Sequence, residues 1–294
     1  MDARVAEGLS LPHEKSTNDR SIIRIPASLR FGFHLASRIS PMLGAEVARQ
    51  LFFRPMRMAY RAEQRNVLAK ARNVRLDVRE RSVHMYGWGE GPTVLLMHGW
   101  SGHAGQMTEF VKPLVNAGYR VIAIDAPGHG RSGGGLSSLV HFADAMTEAA
   151  SVFGPIHAVV AHSLGAAATV QAMRRGMDVG RAVFIAPQAR ISGYWDMFRA
   201  SLGMPDEVWR VMRARSERWL KAPYDDLHPA EHAPRMKTPL LILHGRTDRM
   251  TPFSEGEKLA ALWPGARLEP LDCGHIAILR DWRALLASVD FIKI

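Results

Sequence analysis

The chain has 294 residues, of which 47% are hydrophobic and 22% are charged, and its formal net charge is +10. This apolar fraction excludes a disordered chain, and the length is sufficient for one large core or two smaller ones. No apolar run reaches the roughly 18 residues that a membrane-spanning helix needs, so we expect a globular protein.

The basic excess is concentrated at the start of the sequence, where residues 1–81 hold 16 basic and eight acidic residues. Such a segment suits an anionic membrane surface, an acidic partner or nucleic acid. We do not expect nucleic acid, because the sequence has no zinc-ligand spacing, no interleaving of basic and aromatic residues and no recognised binding module. Cys273 is the only cysteine, and the N-terminus is too polar and acidic for a secretory signal, so the expected location is the cytoplasm.

The first part of the chain, residues 1–72, is predicted to be a basic helical extension. Residues 1–26 have no apolar period and are expected to be loosely ordered. Pro41 then interrupts the pattern, which predicts two short helices, the second over 42–53 with one apolar face. A third, basic helix is predicted over 55–72.

Three roles are open for this extension. Basic and aromatic residues in "RFGFHLASRI" and "QLFFRPMRM" suit a helix that lies on a membrane surface. The alternatives, which we favour, are a helical arm packed across the core of the protein or a contact with a second copy in a homodimer.

Residues 73–294 change to alternating strands and helices. The apolar strand runs are short and continuous, which is typical of strands buried on both faces of a mostly parallel sheet with helices as crossovers. We predict an eight-stranded α/β sheet whose first two strands form a hairpin. The predicted strands cover 74–79, 82–88, 93–98, 120–125, 157–162, 181–186, 239–244 and 267–272.

An insert over about 187–238 breaks this alternation. Five prolines punctuate it, and several large apolar residues, Trp195 among them, give its segments apolar faces. We predict a small helical lid.

Ser163 lies where the fifth strand passes into a helix, in the sequence "VVAHSLGAAA". A nucleophile at such a turn requires small residues two positions on either side, and Ala161 and Gly165 occupy those positions. The pattern A-H-S-L-G resembles the G-x-S-x-G motif of the α/β-hydrolase fold family, with Ala161 replacing the first glycine. The alternative interpretation is a serine that caps a helix starting near Leu164.

A serine nucleophile needs a histidine base held by a carboxylate. Asp248 follows a predicted strand in "HGRTDRMTP", and His275 follows the next in "LDCGHIAIL". The order Ser163, Asp248, His275 is the order that this family uses. The resemblance covers the chain from about Val74 to its end and implies an α/β-hydrolase domain over 73–294.

Other histidines and carboxylates compete for these roles. Asp125 and His129 lie in "DAPGHGRS", which resembles a turn that shapes the wall of the site in this family. His162 is expected to point away from the turn and to pack, and His244 is expected to be structural. No histidine has close ligand spacing, so no metal site is predicted.

The stretch "LLMHGWSG" resembles the oxyanion loop of the family. The resemblance implies that the backbone N–H groups of Trp100 and Leu164 hold the oxyanion. The Trp100 ring is also a candidate for substrate binding, as is Trp195.

The resemblance implies a carboxylesterase-like serine hydrolase that acts on a small-molecule or lipid-like ester and needs no cofactor. Peptidase, thioesterase, lysophospholipase and carbon–carbon bond hydrolase activities use the same groups and remain open. A binding scaffold that has kept the fold without catalysis is the alternative from another class.

Overall fold

The structure is a computed structural model that describes residues 25–293. The prediction of loose order over residues 1–26 therefore lies almost wholly outside the described residues. All eight predicted strands are present, each within two residues of its predicted bounds: β1 (Arg72–Val78), β2 (Arg81–Trp88), β3 (Thr93–Met97), β4 (Arg120–Asp125), β5 (Ile156–His162), β6 (Val179–Ile185), β7 (Leu240–Gly245) and β8 (Arg267–Leu271).

Helices precede and connect the strands, as the apolar periods predict. They are α1 (Ala27–Ile39), α2 (Pro41–Phe53), α3 (Ala62–Leu68), α4 (Val111–Asn116), α5 (Leu139–Phe153), α6 (Leu164–Arg174), α7 (Ser192–Leu202), α8 (Asp206–Leu220), α9 (Pro229–His232), α10 (Phe253–Leu262) and α11 (Trp282–Lys293). A 3₁₀ helix covers Ala104–Phe110. Among these elements, none combines the length and the apolar character required to cross a bilayer.

The strands form one sheet in the order β1-β2-β4-β3-β5-β6-β7-β8. The hairpin β1–β2 is antiparallel, β2 is antiparallel to β4, and every later pairing is parallel. The predicted α/β fold class is therefore confirmed. Because the parallel strands end at the same edge, the loops that follow β3, β4, β5, β7 and β8 meet there.

Apolar packing covers both faces of the sheet. One core lies between the sheet and α5, α6 and α10, and the other lies under α4, α11 and the 3₁₀ helix Ala104–Phe110. All five residues of β3 are buried, which explains why its sequence is a continuous apolar run and does not alternate. The sheet is therefore a rigid base for the loops at its carboxyl edge.

A third, separate core joins the two N-terminal helices to the segment between β6 and β7. Helices α1 and α2 pack on α7 and α8 through eight buried apolar side chains: Phe33, Ala45, Ala48, Phe198, Leu202, Met204, Val208 and Met212. The sequence analysis considered a helical arm packed across the core of the protein. In the structure α1 and α2 form such an arm, but it packs on the insert between β6 and β7.

The predicted helix over 55–72 is wrong for its first half. Within this range only α3 is helical, and the residues between α2 and α3 form neither helix nor strand. Tertiary contacts stabilise this segment: the Arg57 guanidinium donates to the carbonyl oxygens of Gly130, Ser132 and Gly134 at 2.7–3.1 Å. The boundary at Pro41 was predicted correctly, and Ser40 caps α2 by accepting a hydrogen bond from the backbone N–H of Met42.

Candidate active site

Ser163 occupies a sharp turn between β5 and α6. Its backbone has φ 51° and ψ −118°, a region that residues other than glycine rarely adopt. The turn is held by the Ser163 N–H, which donates to the carbonyl oxygen of Ile185 at 2.9 Å. Ser163 lies at the N-cap position of α6, but its side chain makes no capping hydrogen bond, so the strained serine is not explained as a helix cap.

Glycines allow the chain to approach this turn closely. A Cβ on Gly165 would lie 2.6 Å from the carbonyl oxygen of His98, and one on Gly99 would lie 3.1 Å from Cβ of Ser163. Both distances are below ordinary van der Waals contact. The loop after β3 therefore lies directly against the serine turn.

Asp248 and His275 form a hydrogen-bonded pair at the same edge of the sheet. The distance from His275 Nδ1 to Asp248 Oδ2 is 2.7 Å, and both residues are buried. A carboxylate accepts only, so Nδ1 carries the proton. In the neutral imidazole, Nε2 is then free to act as a proton acceptor.

The Asp248 carboxylate is held by further contacts. Its Oδ1 accepts from the backbone N–H groups of Met250 and Thr251, each at 2.8 Å, and His244 Nε2 lies 3.6 Å from Oδ2. Burial alone would raise the pKa of Asp248, but the nearby His244 ring and the hydrogen bonds from His275 and the Thr251 N–H outweigh burial and hold that pKa well below its usual range. Asp248 therefore remains a carboxylate at neutral pH.

His162 connects the serine turn to the histidine loop. Its Nε2 donates to the carbonyl oxygen of His275 at 3.0 Å, and the two ring centroids are 4.7 Å apart. Burial and the neighbouring His275 lower the pKa of His162 to about 3, so the ring is neutral. Since His162 directly precedes Ser163, this bond places the loop of His275 beside the serine turn.

Two neutral histidines fix the loop that carries Trp100. His98 Nε2 accepts from the N–H of Ala126 at 3.0 Å, and His129 Nε2 accepts from the N–H of Ser101 at 3.0 Å. Burial lowers the pKa of each ring to about 3. The prediction of His129 as a pocket or turn residue agrees with this contact.

The backbone N–H groups of Trp100 and Leu164 have no hydrogen-bond acceptor within residues 25–293. Leu164 is the first residue of α6, where the helix dipole adds positive potential. These two groups are therefore available as donors next to Ser163.

Asp125 has a structural role. Its buried carboxylate accepts four hydrogen bonds, from the hydroxyl groups of Tyr60 and Tyr86 and from the N–H groups of Ala104 and Arg131. These bonds tie the segment before α3 to the sheet edge. They leave no acceptor position for the base His275, which supports Asp248 as the partner carboxylate.

The two tryptophans predicted to bind substrate differ in position. The Trp100 side chain is 37% exposed beside the serine turn. Trp195 is buried in α7, where its ring stacks on Tyr224 with centroids 4.1 Å apart. The position of Trp195 is that of a packing residue in the insert.

The insert also contacts the loop of Asp248. The distance between the hydroxyl oxygens of Tyr194, in α7, and Thr251 is 3.4 Å. The side-chain amide of Gln188 donates a hydrogen bond to each of these hydroxyl groups. Sequence reasoning missed this contact and the bonds of His162 and His244, because side chains from distant segments give no periodic signal. The position of His162 next to Ser163 was the one feature of the sequence that could have indicated a role for His162 at the site.

Comparisons with known proteins identify the family of the chain. A family model described as "Alpha/beta hydrolase family" matches residues 94–288. A pimeloyl-[acyl-carrier protein] methyl ester esterase from Methylococcus capsulatus is 31% identical over 233 residues, covering 65% of this chain and 90% of that protein. A 2-hydroxy-6-oxo-6-phenylhexa-2,4-dienoate hydrolase from Burkholderia cepacia is 26% identical over 247 residues, covering 66% and 85%.

Solved structures share the fold at lower identity. A hydrolase from Pseudomonas aeruginosa aligns with a TM-score of 0.61 and 19% identity, covering 76% of this chain and 100% of that structure. An esterase from Exiguobacterium antarcticum aligns with a TM-score of 0.58 and 15% identity, covering 76% and 100%. The chain belongs to the alpha/beta hydrolase family. Its distant relatives include esterases and carbon–carbon bond hydrolases.

Proposed function

We propose that the protein is a serine hydrolase that cleaves carboxylic esters through an acyl-enzyme intermediate. Ser163 is the nucleophile, His275 is the general base and Asp248 orients the imidazole. The backbone N–H groups of Trp100 and Leu164 hold the oxyanion.

The observation that carries this proposal is the hydrogen bond from His162 to the carbonyl oxygen of His275, at 3.0 Å. It joins the strained turn of Ser163 to the loop whose imidazole is bonded to Asp248. Ser163, His275 and Asp248 therefore lie at one edge of the sheet, although Ser163 and His275 are 112 positions apart in the sequence, and this supports the proposed roles.

The first chemical step is attack by Ser163 Oγ on the acyl carbon while His275 Nε2 takes the hydroxyl proton. In the described part of the chain Ser163 Oγ makes no hydrogen bond, and we expect its bond to His275 Nε2 to tighten in the substrate complex, as catalytic hydrogen bonds commonly do. The imidazolium then protonates the leaving alcohol. Water repeats the attack with the same base and releases the acid.

Charge development explains the roles of the other groups. The tetrahedral intermediate carries a negative oxygen between the N–H groups of Trp100 and Leu164, where each donor contributes about 3 kcal/mol to the barrier reduction. The Asp248 carboxylate stabilises the imidazolium through Nδ1. The low pKa of Asp248 keeps it charged throughout the cycle.

The relatives support ester chemistry but leave the substrate class broad. One relative is named as a methyl ester esterase and another as a dienoate hydrolase. Exposed apolar side chains lie next to the proposed groups, namely Trp100, Met250 and Ile276, which suits a substrate with an apolar acyl or alcohol part. Hydrolysis of a carbon–carbon bond by the same groups is the second candidate.

Labelling with a fluorophosphonate tests the nucleophile. We expect the wild-type protein to be labelled, the Ser163→Ala variant to be unlabelled, and the exposed-serine variant Ser254→Ala to be labelled as wild type. Labelling that persists in Ser163→Ala would show that Ser163 is not the nucleophile. Loss of labelling in both variants would point to a general effect of serine replacement.

A substrate panel then ranks the activities. It should contain p-nitrophenyl esters of increasing acyl length, aminoacyl amides and a dienoate carbon–carbon substrate, each assayed with wild type and Ser163→Ala. We expect turnover of esters above all others. A larger kcat/KM for the dienoate would favour the carbon–carbon hydrolase.

A further inference from the structure

Residues 54–61, which we call the α2–α3 linker, lie against the edge of the sheet that carries the candidate site. Tyr60 of this linker donates to the carboxylate of Asp125, at the end of β4, at 2.6 Å. The linker precedes Val74, near which the resemblance to the α/β-hydrolase family begins, so the motifs of the family assign it no role. Its contacts with the loop of Trp100 therefore need an explanation of their own.

The loop after β3 forms a tight turn over residues 99–102. The N–H of Gly102 donates to the carbonyl oxygen of Gly99 at 3.0 Å. His98 Nδ1, which carries the ring proton because Nε2 is an acceptor, donates to the same oxygen at 2.7 Å. The Gly99 carbonyl and the Trp100 N–H belong to one planar trans peptide and point in opposite directions. The turn therefore fixes the direction of the Trp100 N–H, which is the proposed oxyanion donor.

Ser101 has an unfavourable backbone conformation in this turn. Its φ is 56°, and a positive φ at the third position of a turn usually belongs to glycine. Two hydrogen bonds hold Ser101 in this conformation: its N–H donates to His129 Nε2 at 3.0 Å, and its Oγ accepts from the N–H of Met56 at 3.1 Å. The first partner lies in the loop after β4 and the second lies in the α2–α3 linker. The conformation of the turn therefore depends on both segments.

The α2–α3 linker also holds the loop that carries His129. The Arg57 guanidinium donates to three carbonyl oxygens of this loop, those of Gly130, Ser132 and Gly134. A guanidinium presents several N–H groups in one rigid plane, so a single side chain can fix three carbonyl groups at once. Arg57 therefore restrains the loop whose histidine accepts from the turn.

We propose that the α2–α3 linker positions the oxyanion donor Trp100. One set of contacts joins Met56 to Ser101, and the other joins Arg57 to the loop of His129. This inference rests on the proposed function, because it takes the Trp100 N–H as a donor to the tetrahedral intermediate. Ser101 and Arg57 are positioning residues, since they act through the turn and not on the substrate.

The strain of the turn gives this positioning its effect. Both sets of contacts end at Ser101, the residue that follows Trp100, and they offset the cost of its positive φ. When either set is lost, the turn can relax towards a more favourable conformation, and the Trp100 N–H then changes direction. A small displacement of an oxyanion donor weakens the transition state far more than it weakens substrate binding.

Replacing Arg57 by Ala tests the contacts with the loop of His129. Arg57 is exposed, so the substitution leaves no buried cavity and the fold should persist. We expect kcat for a p-nitrophenyl ester to fall about tenfold while KM stays within about twofold of wild type, because the transition state is affected and the ground state is not. Arg54→Ala is the matched control, since Arg54 is also exposed and donates to Gln50 within α2 at 3.2 Å.

Two substitutions of Ser101 separate its hydrogen bond from its backbone strain. Ser101→Ala removes the acceptor of the Met56 N–H and keeps the strain. Ser101→Gly removes the same acceptor but relieves the strain, since glycine adopts a positive φ readily. We expect kcat to fall about tenfold in both variants and to stay normal in the exposed-serine control Ser254→Ala. A normal kcat in Ser101→Gly would show that the bond to Met56 does not position the donor.

The rate of labelling by a fluorophosphonate provides a second measurement, which needs no known substrate. The phosphoryl oxygen of this probe takes the place of the ester carbonyl oxygen, so the labelling rate should also fall about tenfold in Arg57→Ala and Ser101→Ala. Thermal unfolding followed by circular dichroism checks that each variant is folded at the assay temperature. A merely structural role would lower the unfolding temperature and leave kcat of the folded protein unchanged.

The outcomes separate this inference from the proposed function. Labelling that persists in Ser163→Ala would remove the proposed function and this inference with it. Labelling confined to Ser163, with wild-type kcat and labelling rates in folded Arg57→Ala and Ser101→Ala, would overturn the positioning role and leave the proposed function intact. A higher KM at unchanged kcat in these variants would also overturn it, because the linker would then act on substrate binding.

Discussion

Replacing Asp248 by Asn probes the proposed triad with little change of shape. Asp248 Oδ1 accepts two backbone N–H groups, from Met250 and Thr251, at 2.8 Å each. An Asn must keep its oxygen at that position, because its NH₂ group cannot face two donors. The NH₂ group is then placed opposite His275 Nδ1, where the carboxylate Oδ2 accepts at 2.7 Å in the native chain.

This exchange forces the wrong tautomer of His275. Nδ1 must become the acceptor, so Nε2 carries the proton and is unable to take one from Ser163. Loss of the orienting carboxylate in a serine triad lowers kcat by about 10⁴, which corresponds to about 5.5 kcal/mol of transition-state stabilisation. The fold should persist, since both backbone N–H groups keep their acceptor.

Burst and steady-state kinetics with a p-nitrophenyl ester measure this effect, and thermal unfolding followed by circular dichroism checks the fold. Asp272→Asn is the control, because Asp272 is exposed and, among residues 25–293, its ion-pair partner is Arg246, at 3.9 Å. We expect the control to retain normal kcat. Rates within tenfold of wild type for Asp248→Asn, with an intact fold, would mean that another carboxylate orients the base or that His275 is not the base.

Three further predictions concern the turn, the third core and pH. Gly165→Ala places a Cβ 2.6 Å from a backbone carbonyl oxygen. We expect this variant to lower the free energy of unfolding in urea by about 1–3 kcal/mol and to lose most of the esterase activity. Gly193→Ala is the control, because a Cβ on Gly193 would have no atom within 4 Å, and it should change little. Phe33→Ala should destabilise the contact of α1 with the insert by about 3–5 kcal/mol and speed proteolysis there, while Phe31→Ala, at a site 71% exposed, should not. Buried histidines such as His162, with a pKa lowered to about 3, stay neutral when folded but take up protons in the unfolded chain below about pH 6.5. Stability should therefore fall as pH decreases from 6.5 towards 3, by up to about 2 kcal/mol per such histidine at pH 5, and equal urea midpoints at pH 7 and pH 5 would contradict this.

The sheet could be predicted from the sequence because each strand is marked by a short apolar run in its own stretch of sequence. The run Val94–Met97 is apolar at successive positions, and all of its residues are buried in the structure. The neighbouring glycines and charged residues mark where each run stops. The elements that carry the candidate site follow directly, since each of its residues comes just after a strand end.

The helix expected over 55–72 shows where local pattern fails. The basic sequence between Arg54 and Arg61 is compatible with a helix, but Tyr60 donates to Asp125 at 2.6 Å and Met56 N–H donates to Ser101 Oγ at 3.1 Å. Asp125 is the last residue of β4, and Ser101 lies in the loop after β3. Such contacts between distant segments override a helix preference worth a few tenths of a kcal/mol per residue.

The third core was also beyond sequence reasoning. The sequence shows that α1 and α2 have apolar faces, but it does not show which other segment packs against those faces. The side chains Phe198, Leu202 and Met212 of the insert complete that core. The pairing depends on complementary shape, which is specified by two segments more than 140 residues apart.

The insert between β6 and β7 is therefore held by contacts at both of its ends. It is packed on α1 and α2 at one end through the third core, and at the other end Tyr194 reaches Thr251, whose N–H holds Asp248. Movement of the insert alone would expose Phe33 and Met212 to water at a cost of about 1.5–3 kcal/mol for each side chain. Any movement of α7 and α8 should accordingly carry α1 and α2 with them.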